Sequence, residues 1–149
     1  MRLLVAAAVA LLAGLAFAAA ARSREELLPD SFYGLMARTL EDQDFSFEEL
    51  KGKVVLITNI ASECGYTEDN YEKLTLLQNE FAEDLVVIGF PCNQFGKQEP
   101  GPGRVIRAFA NQHGASFKIM AKTDVNGIRM HPVYRWLRNK TNNDDIQWK

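Results

Sequence analysis

Two segments hold the only two cysteines of this 149-residue chain. They are Ala61-Ser62-Glu63-Cys64-Gly65-Tyr66-Thr67 and Gly89-Phe90-Pro91-Cys92-Asn93-Gln94-Phe95-Gly96-Lys97-Gln98-Glu99-Pro100. Each directly follows a β-prone apolar run, so both thiols are expected where strands end and loops begin, the place where open α/β sheets bind ligands. The thiolate, not the thiol, is the nucleophile, and a helix amino terminus favours it through unpaired N–H groups and the helix dipole. Cys64 is placed for that effect, ahead of a helix expected from Thr67, and Gly65 strips side-chain cover from its sulfur. Glu63 acts mildly the other way, because a nearby carboxylate opposes thiolate formation. Gln98 offers amide hydrogens without charge, and Trp148 carries an indole N–H that only donates. Both are candidate donors to a thiolate, with a surface amide and a packed aromatic as the alternative readings.

The elements that must position these groups follow from the pattern around them. Val54-Val55-Leu56-Ile57-Thr58-Asn59-Ile60 reads as a strand buried on both faces of a parallel sheet. Thr67 is expected to cap the next helix, with Glu68 and Asp69 in its positive first turn. Tyr71, Leu74, Leu77 and Phe81 recur at helical spacing and read as core packing. Leu85 to Phe90 is a second buried strand, and strand, helix, strand in so few residues predicts a right-handed βαβ unit. If the two strands are neighbours about 4.8 Å apart, Cys64 and Cys92 come within reach of the same small substrate. Ser23 to Asp44 reads as irregular. Arg104 to Gln112 reads as a helix with Val105, Ile106 and Phe109 inward, and Phe117 to Lys122 as a short strand. Asn126-Gly127 is a turn signal, and Pro132 opens a last helix through Val133, Trp136 and Leu137.

Composition narrows the function classes. The formal charge of −2 comes with no basic stripe, so nucleic acid is not an expected partner. The two histidines, His113 and His131, have no zinc-ligand spacing to each other or to a Cys-x-x-Cys. Met1-Arg2 and the apolar stretch from Leu3 to Ala21 have the parts of a secretory signal, so residues 1–21 are expected to be a signal peptide or a signal anchor. Residues 22–149 then form one domain in an oxidising compartment of the secretory pathway, the endoplasmic reticulum lumen or the extracellular space, with membrane anchoring as the alternative. Within that domain Asn139-Lys140-Thr141 is a glycosylation acceptor triplet.

The blocks Asn59 to Thr67 and Gly89 to Gly101 resemble the two signature motifs of the glutathione peroxidase family. Similarity continues through Lys122-Thr123-Asp124-Val125-Asn126-Gly127 and His131-Pro132-Val133-Tyr134, so it covers most of the chain after the leader. The resemblance implies an α/β, thioredoxin-like fold, a central mixed sheet flanked by helices, and reduction of hydrogen peroxide and organic or lipid hydroperoxides in oxidative-stress defence. It puts Cys64 at the peroxidatic position and matches Gln98 and Trp148 to the catalytic glutamine and tryptophan. It implies no resident cofactor, with a thiol co-substrate instead: glutathione, thioredoxin or protein disulfide isomerase. The short spacing from Arg138 to Trp148 resembles the monomeric subgroup.

Similarity to secretory-pathway members that carry Glu-Cys-Gly makes Cys92 the candidate resolving cysteine. A buried cysteine without a redox role and a permanent disulfide with Cys64 are the alternatives. The sequence departs from the family at Lys118, where proline is usual, and at Lys149, which follows Trp148 where the family has asparagine and phenylalanine. The fold is therefore expected to lack its last strands and helix. A catalytically impaired binding module or truncated gene product is the alternative function.

Overall fold

The computed structural model describes residues 28–147. The leader over residues 1–21 and Trp148 lie outside the described residues. In chain order the elements are β1 (Met36–Arg38), β2 (Asp44–Ser46), β3 (Val54–Ile60), α1 (Thr67–Glu80), β4 (Leu85–Pro91), α2 (Gly103–Gln112), β5 (Lys118–Ile119) and α3 (Pro132–Thr141). Short 3-10 turns occupy Phe32–Gly34 and Phe47–Leu50.

Strands β3, β4 and β5 lie side by side in that order, all parallel. The register runs from Val54 opposite Leu85 to Ile60 opposite Pro91, which is the expected βαβ unit. One further bond, from the Cys92 N–H to the Ile60 carbonyl at 3.0 Å, carries the ladder past the strand end and seats the second motif beside the first.

The stretch Ser23 to Asp44, expected to be irregular, contains part of an antiparallel hairpin. Met36 pairs with Ser46, Ala37 with Phe45 and Arg38 with Asp44. Ala37 and Phe45 are buried while the flanking residues are not. Strands of three residues are too short to show a period. The turn is held by Thr39 N–H to the Gln43 carbonyl at 2.8 Å and by ion pairs from Arg38 to Asp42 and Asp44 at 2.7 and 2.9 Å. An antiparallel bridge between Thr39 and Met120 joins the hairpin to the sheet, which makes the whole arrangement mixed.

Alternation along β4 divides the core. Ile88 and Phe90 pack with Phe47, Leu50 and Val133, while Val87 packs with Ile60, Tyr71, Ala110 and Phe117. Helix α3 thus covers one face of the sheet, and α1 and α2 the other. Gly89 is required between them: a Cβ there would stand 2.9 Å from the Ile60 side chain and 3.1 Å from Phe117.

Three expectations are corrected by burial. Strand β3 is not covered on both faces, since Val54 is 67 % exposed and Leu56 is also exposed. Among the described residues it pairs only with β4, which leaves its other edge open. The α1 stripe is core at Tyr71 and Leu74, but Leu77 and Phe81 are exposed. On α2, Ile106 is fully buried and Phe109 packs inward, whereas Val105 is 48 % exposed.

Candidate functional site

The first motif folds back on itself at the end of β3. Thr67, expected as the cap of α1, is instead its first residue, and Tyr66 stands at the cap position without a capping side chain. The Thr67 hydroxyl is engaged elsewhere: it donates to the Ala61 carbonyl at 2.6 Å, in a buried setting. The Thr67 N–H donates to the Cys64 carbonyl at 3.0 Å. These two bonds tie both ends of the turn and present Cys64 just ahead of the helix. Its thiol is half-buried and free. It borders a cavity of about 280 Å³ whose lining includes Ile60, Ala61, Tyr66, Leu74 and Gln147. A Cβ at Gly65 would meet nothing within 4 Å, so the approach to the sulfur is open there.

The second motif delivers Gln98 through a tight turn. Gly96 and Lys97 both have positive φ, 59° and 56°, and the Gln98 N–H donates to the Phe95 carbonyl at 3.3 Å. Two successive left-handed residues define a turn of the primed type, for which glycine is the economical choice and lysine a strained one. The Gln98 side chain lies against Gly96. Its carbonyl accepts from the Glu63 N–H at 2.9 Å, so Gln98 and Cys64 are held on adjoining loops. The Gln98 side chain is half-buried and does not line the cavity.

Beside this junction lies a carboxylate that the sequence reading did not single out. Glu99 is only 1 % exposed, and its two oxygens accept from the Ser62 hydroxyl at 2.9 and 3.1 Å. The Glu99 N–H donates to Asn93 Oδ1 at 2.9 Å. Lys122 Nζ donates to the carbonyls of Glu99, Pro100 and Gly101 rather than to the carboxylate. Burial pushes the Glu99 carboxyl pKa up, against the lowering effects of Ser62 and Lys122. Tyr71 lies within its electrostatic reach, and the Tyr71 hydroxyl is buried without a partner. A glutamate inside a polar motif carries no sequence mark of burial, so only the fold identifies it.

The structure separates the two cysteines. Cys92 is fully buried among Ile88, Phe90, Val125 and Tyr134, and it does not line the cavity that Cys64 borders. Burial raises its pKa. Both thiols are free, with Cys64 half-buried and Cys92 buried. The expectation that one small substrate touches both sulfurs is corrected, because β4 turns Cys92 into the core while the loop after β3 turns Cys64 outward. Trp148 lies outside the described residues; Gln147, which precedes it in sequence, does line the cavity. Asn139 is exposed on the last turn of α3, and the Thr141 hydroxyl of its triplet donates to the Leu137 carbonyl at 2.9 Å.

Residues 32–138 match the glutathione peroxidase family. The chain belongs to the glutathione peroxidase family. Its similarity to the glutathione peroxidase-like peroxiredoxin GPX5 of Chlamydomonas reinhardtii is 47 % identity over 111 residues, covering 73 % of this chain and 68 % of that one. A probable phospholipid hydroperoxide glutathione peroxidase of Mesembryanthemum crystallinum is 40 % identical over 125 residues, covering 80 % of this chain and 74 % of that one. Among solved structures, T. cruzi GPX1 superposes with a TM-score of 0.62 at 32 % identity, covering 80 % of this chain and 75 % of that chain. The fold of this glutathione peroxidase family member is thioredoxin-like, with helices on both faces of the sheet and Cys64 at the carboxyl end of β3.

Proposed function

We propose that this chain is a thiol-dependent peroxidase that reduces hydroperoxides with Cys64, acting without a resident cofactor. The observation that carries the reading is the half-exposed Cys64 thiol at the border of a cavity in a chain of this family. The Cys64 thiolate attacks the distal oxygen of the hydroperoxide, the O–O bond breaks, and the alkoxide or hydroxide leaves with a proton as alcohol or water. The sulfur becomes a sulfenic acid. A second thiol then displaces water from it to form a disulfide, and a further thiol returns Cys64 to the reduced form.

Gln98 is the donor proposed to steady the thiolate and the peroxide from the adjoining loop, and Trp148 is the second. For the resolving step, an external thiol has a direct path to half-exposed Cys64. Cys92 takes that step only when the segment after β4 opens, because its thiol is fully buried. Glutathione, thioredoxin and protein disulfide isomerase are the proposed reductants, since each presents a sulfur to an accessible site. Organic and lipid hydroperoxides beside hydrogen peroxide are the proposed substrates, met by a lining that mixes apolar Ile60, Ala61 and Leu74 with polar Thr58, Asn59 and Asn70. A monomer in the secretory pathway, with Asn139 as a glycosylation site, is the setting proposed from the leader and the triplet.

Mixing the reduced protein with hydrogen peroxide at neutral pH and reading intact mass tests the reaction. Wild type should gain one oxygen or form a disulfide, and Cys64→Ser should do neither. Cys92→Ser should oxidise at the wild-type rate but change the product and slow the turnover of any cycle that uses it. A Cys64 thiol that stays reduced under excess peroxide sinks the reading.

A further inference from the structure

Two side-chain amides link the second motif to the segment that contributes Gln147 to the Cys64 cavity. Gln94 is the first. Its Oε1 accepts from the N–H groups of Val125 and Asn126 at 2.8 and 2.9 Å, and its Nε2 donates to the Asn126 carbonyl at 3.0 Å. The Cys92 thiol donates to the same Oε1 at 3.7 Å. One amide therefore satisfies three backbone groups of the turn that carries Asn126. Asn126 then repeats the device on the next segment: its Nδ2 donates to the Ile146 carbonyl at 2.8 Å, and its Oδ1 accepts from the Ile146 N–H at 2.8 Å.

This two-point pairing gives a side chain the hydrogen-bonding pattern of a neighbouring strand. It matters because residues 142–147 belong to no helix or strand. Ile146 also packs against the main core cluster, and Gln147, next in the chain, lines the cavity that Cys64 borders. Amide pairs with two bonds fix both position and orientation, as a single bond does not.

We propose that Asn126 is a positioning residue for the peroxidase reaction, its amide holding the Ile146–Gln147 segment as one wall of the Cys64 cavity, with Gln94 holding Asn126. The inference rests on Cys64 being the reacting sulfur. The wall is what orients the hydroperoxide for in-line attack, and misplacing a reactant by about 1 Å can cost on the order of a hundredfold in rate. The thiol itself needs no such wall to meet a small alkylating reagent.

The test is single-turnover oxidation of Cys64 by cumene hydroperoxide, run beside its alkylation by iodoacetamide, in wild type, Asn126→Ala, Gln147→Ala and the double variant. Asn126→Ala should oxidise roughly tenfold more slowly, the loss of two net hydrogen bonds, while alkylating at the wild-type rate or faster. Gln147→Ala should lower the oxidation rate by a smaller factor, and the double variant should lose no more than Asn126→Ala alone. Oxidation and alkylation that fall together in Asn126→Ala, or additive losses in the double variant, overturn the proposal. Should Asn126→Ala fail to fold, exposed Gln147→Ala decides alone: an unchanged ratio of oxidation to alkylation overturns it. A wild-type Cys64 that alkylates but is never oxidised overturns the peroxidase reading itself, which distinguishes the two failures.

Discussion

The hydroxyl of Ser62 donates to the buried carboxylate of Glu99, 2.9 Å away, and thereby clasps the Cys64 loop to the Gln98 loop. The residue two positions before Cys64 is thus tied to the residue after the candidate amide donor Gln98. Together with the Glu63 N–H to Gln98 carbonyl bond, the clasp makes the two motifs one unit.

Ser62→Ala should leave a buried carboxyl without its hydroxyl partner and cost about 1 to 3 kcal/mol. Glu99→Gln should cost less, because an amide oxygen still accepts from Ser62. The sign of the pH effect follows from burial, which raises the folded carboxyl pKa above its ordinary value of 4.5. Between the ordinary value and the raised one, the folded state binds more protons than the unfolded state, so this group stabilises more as pH falls through that window. Thermal midpoints measured from neutral pH downward should therefore show wild type gaining on Glu99→Gln.

Thr67→Val keeps the shape of the side chain but removes the hydroxyl that meets the Ala61 carbonyl at 2.6 Å. Denaturant unfolding should show a loss on the order of 1 to 3 kcal/mol, since a buried carbonyl is left unsatisfied. The same variant should slow peroxide oxidation of Cys64, because that bond closes the turn carrying the sulfur. An unchanged stability would show that the Thr67 hydroxyl does not hold the turn.

His131 caps α3, its Nδ1 accepting from the Val133 N–H at 3.2 Å. Burial holds its pKa below the ordinary 6.5. Protonation both charges a half-buried ring and removes the acceptor, so the unfolded state takes up the proton first. The stability it contributes is complete above about pH 6.5 and is lost as pH falls through the depressed native value. His131→Asn, which can still cap, should flatten this part of the pH profile, as read by the α3 circular dichroism signal.

Gly89→Ala should destabilise the fold by about 1 to 3 kcal/mol through overpacking. The added methyl meets Ile60 Cδ1 at 2.9 Å and the Phe117 ring at 3.1 Å. Because Ile60 also lines the Cys64 cavity, the variant should slow oxidation by a bulky hydroperoxide more than by hydrogen peroxide. Stopped-flow comparison of the two oxidants checks this, and an equal effect on both would count against it.

Apolar runs and helical spacing made the βαβ unit, α2 and α3 legible, because β-branched continuity and an i, i+3, i+4 pattern are local properties. The β1–β2 hairpin was not legible, because three-residue strands are defined by their pairing and not by their own composition. For the same reason the exposure of Val54, Leu77 and Val105 escaped the pattern: whether an apolar residue is covered depends on which element lies over it.

By itself the sequence determined which thiols are available, that Cys64 precedes a helix, and that Gln98 lies in the companion loop, since these follow from residue order. Tertiary structure decided the rest. It turned Cys92 into the core and left Cys64 at a cavity, because one closes a strand packed on α3 while the other sits in an outward loop. It also made Glu99, Ser62, Gln94 and Asn126 into the clasps of the site, as their partners lie far away in the chain and meet only when the sheet has formed.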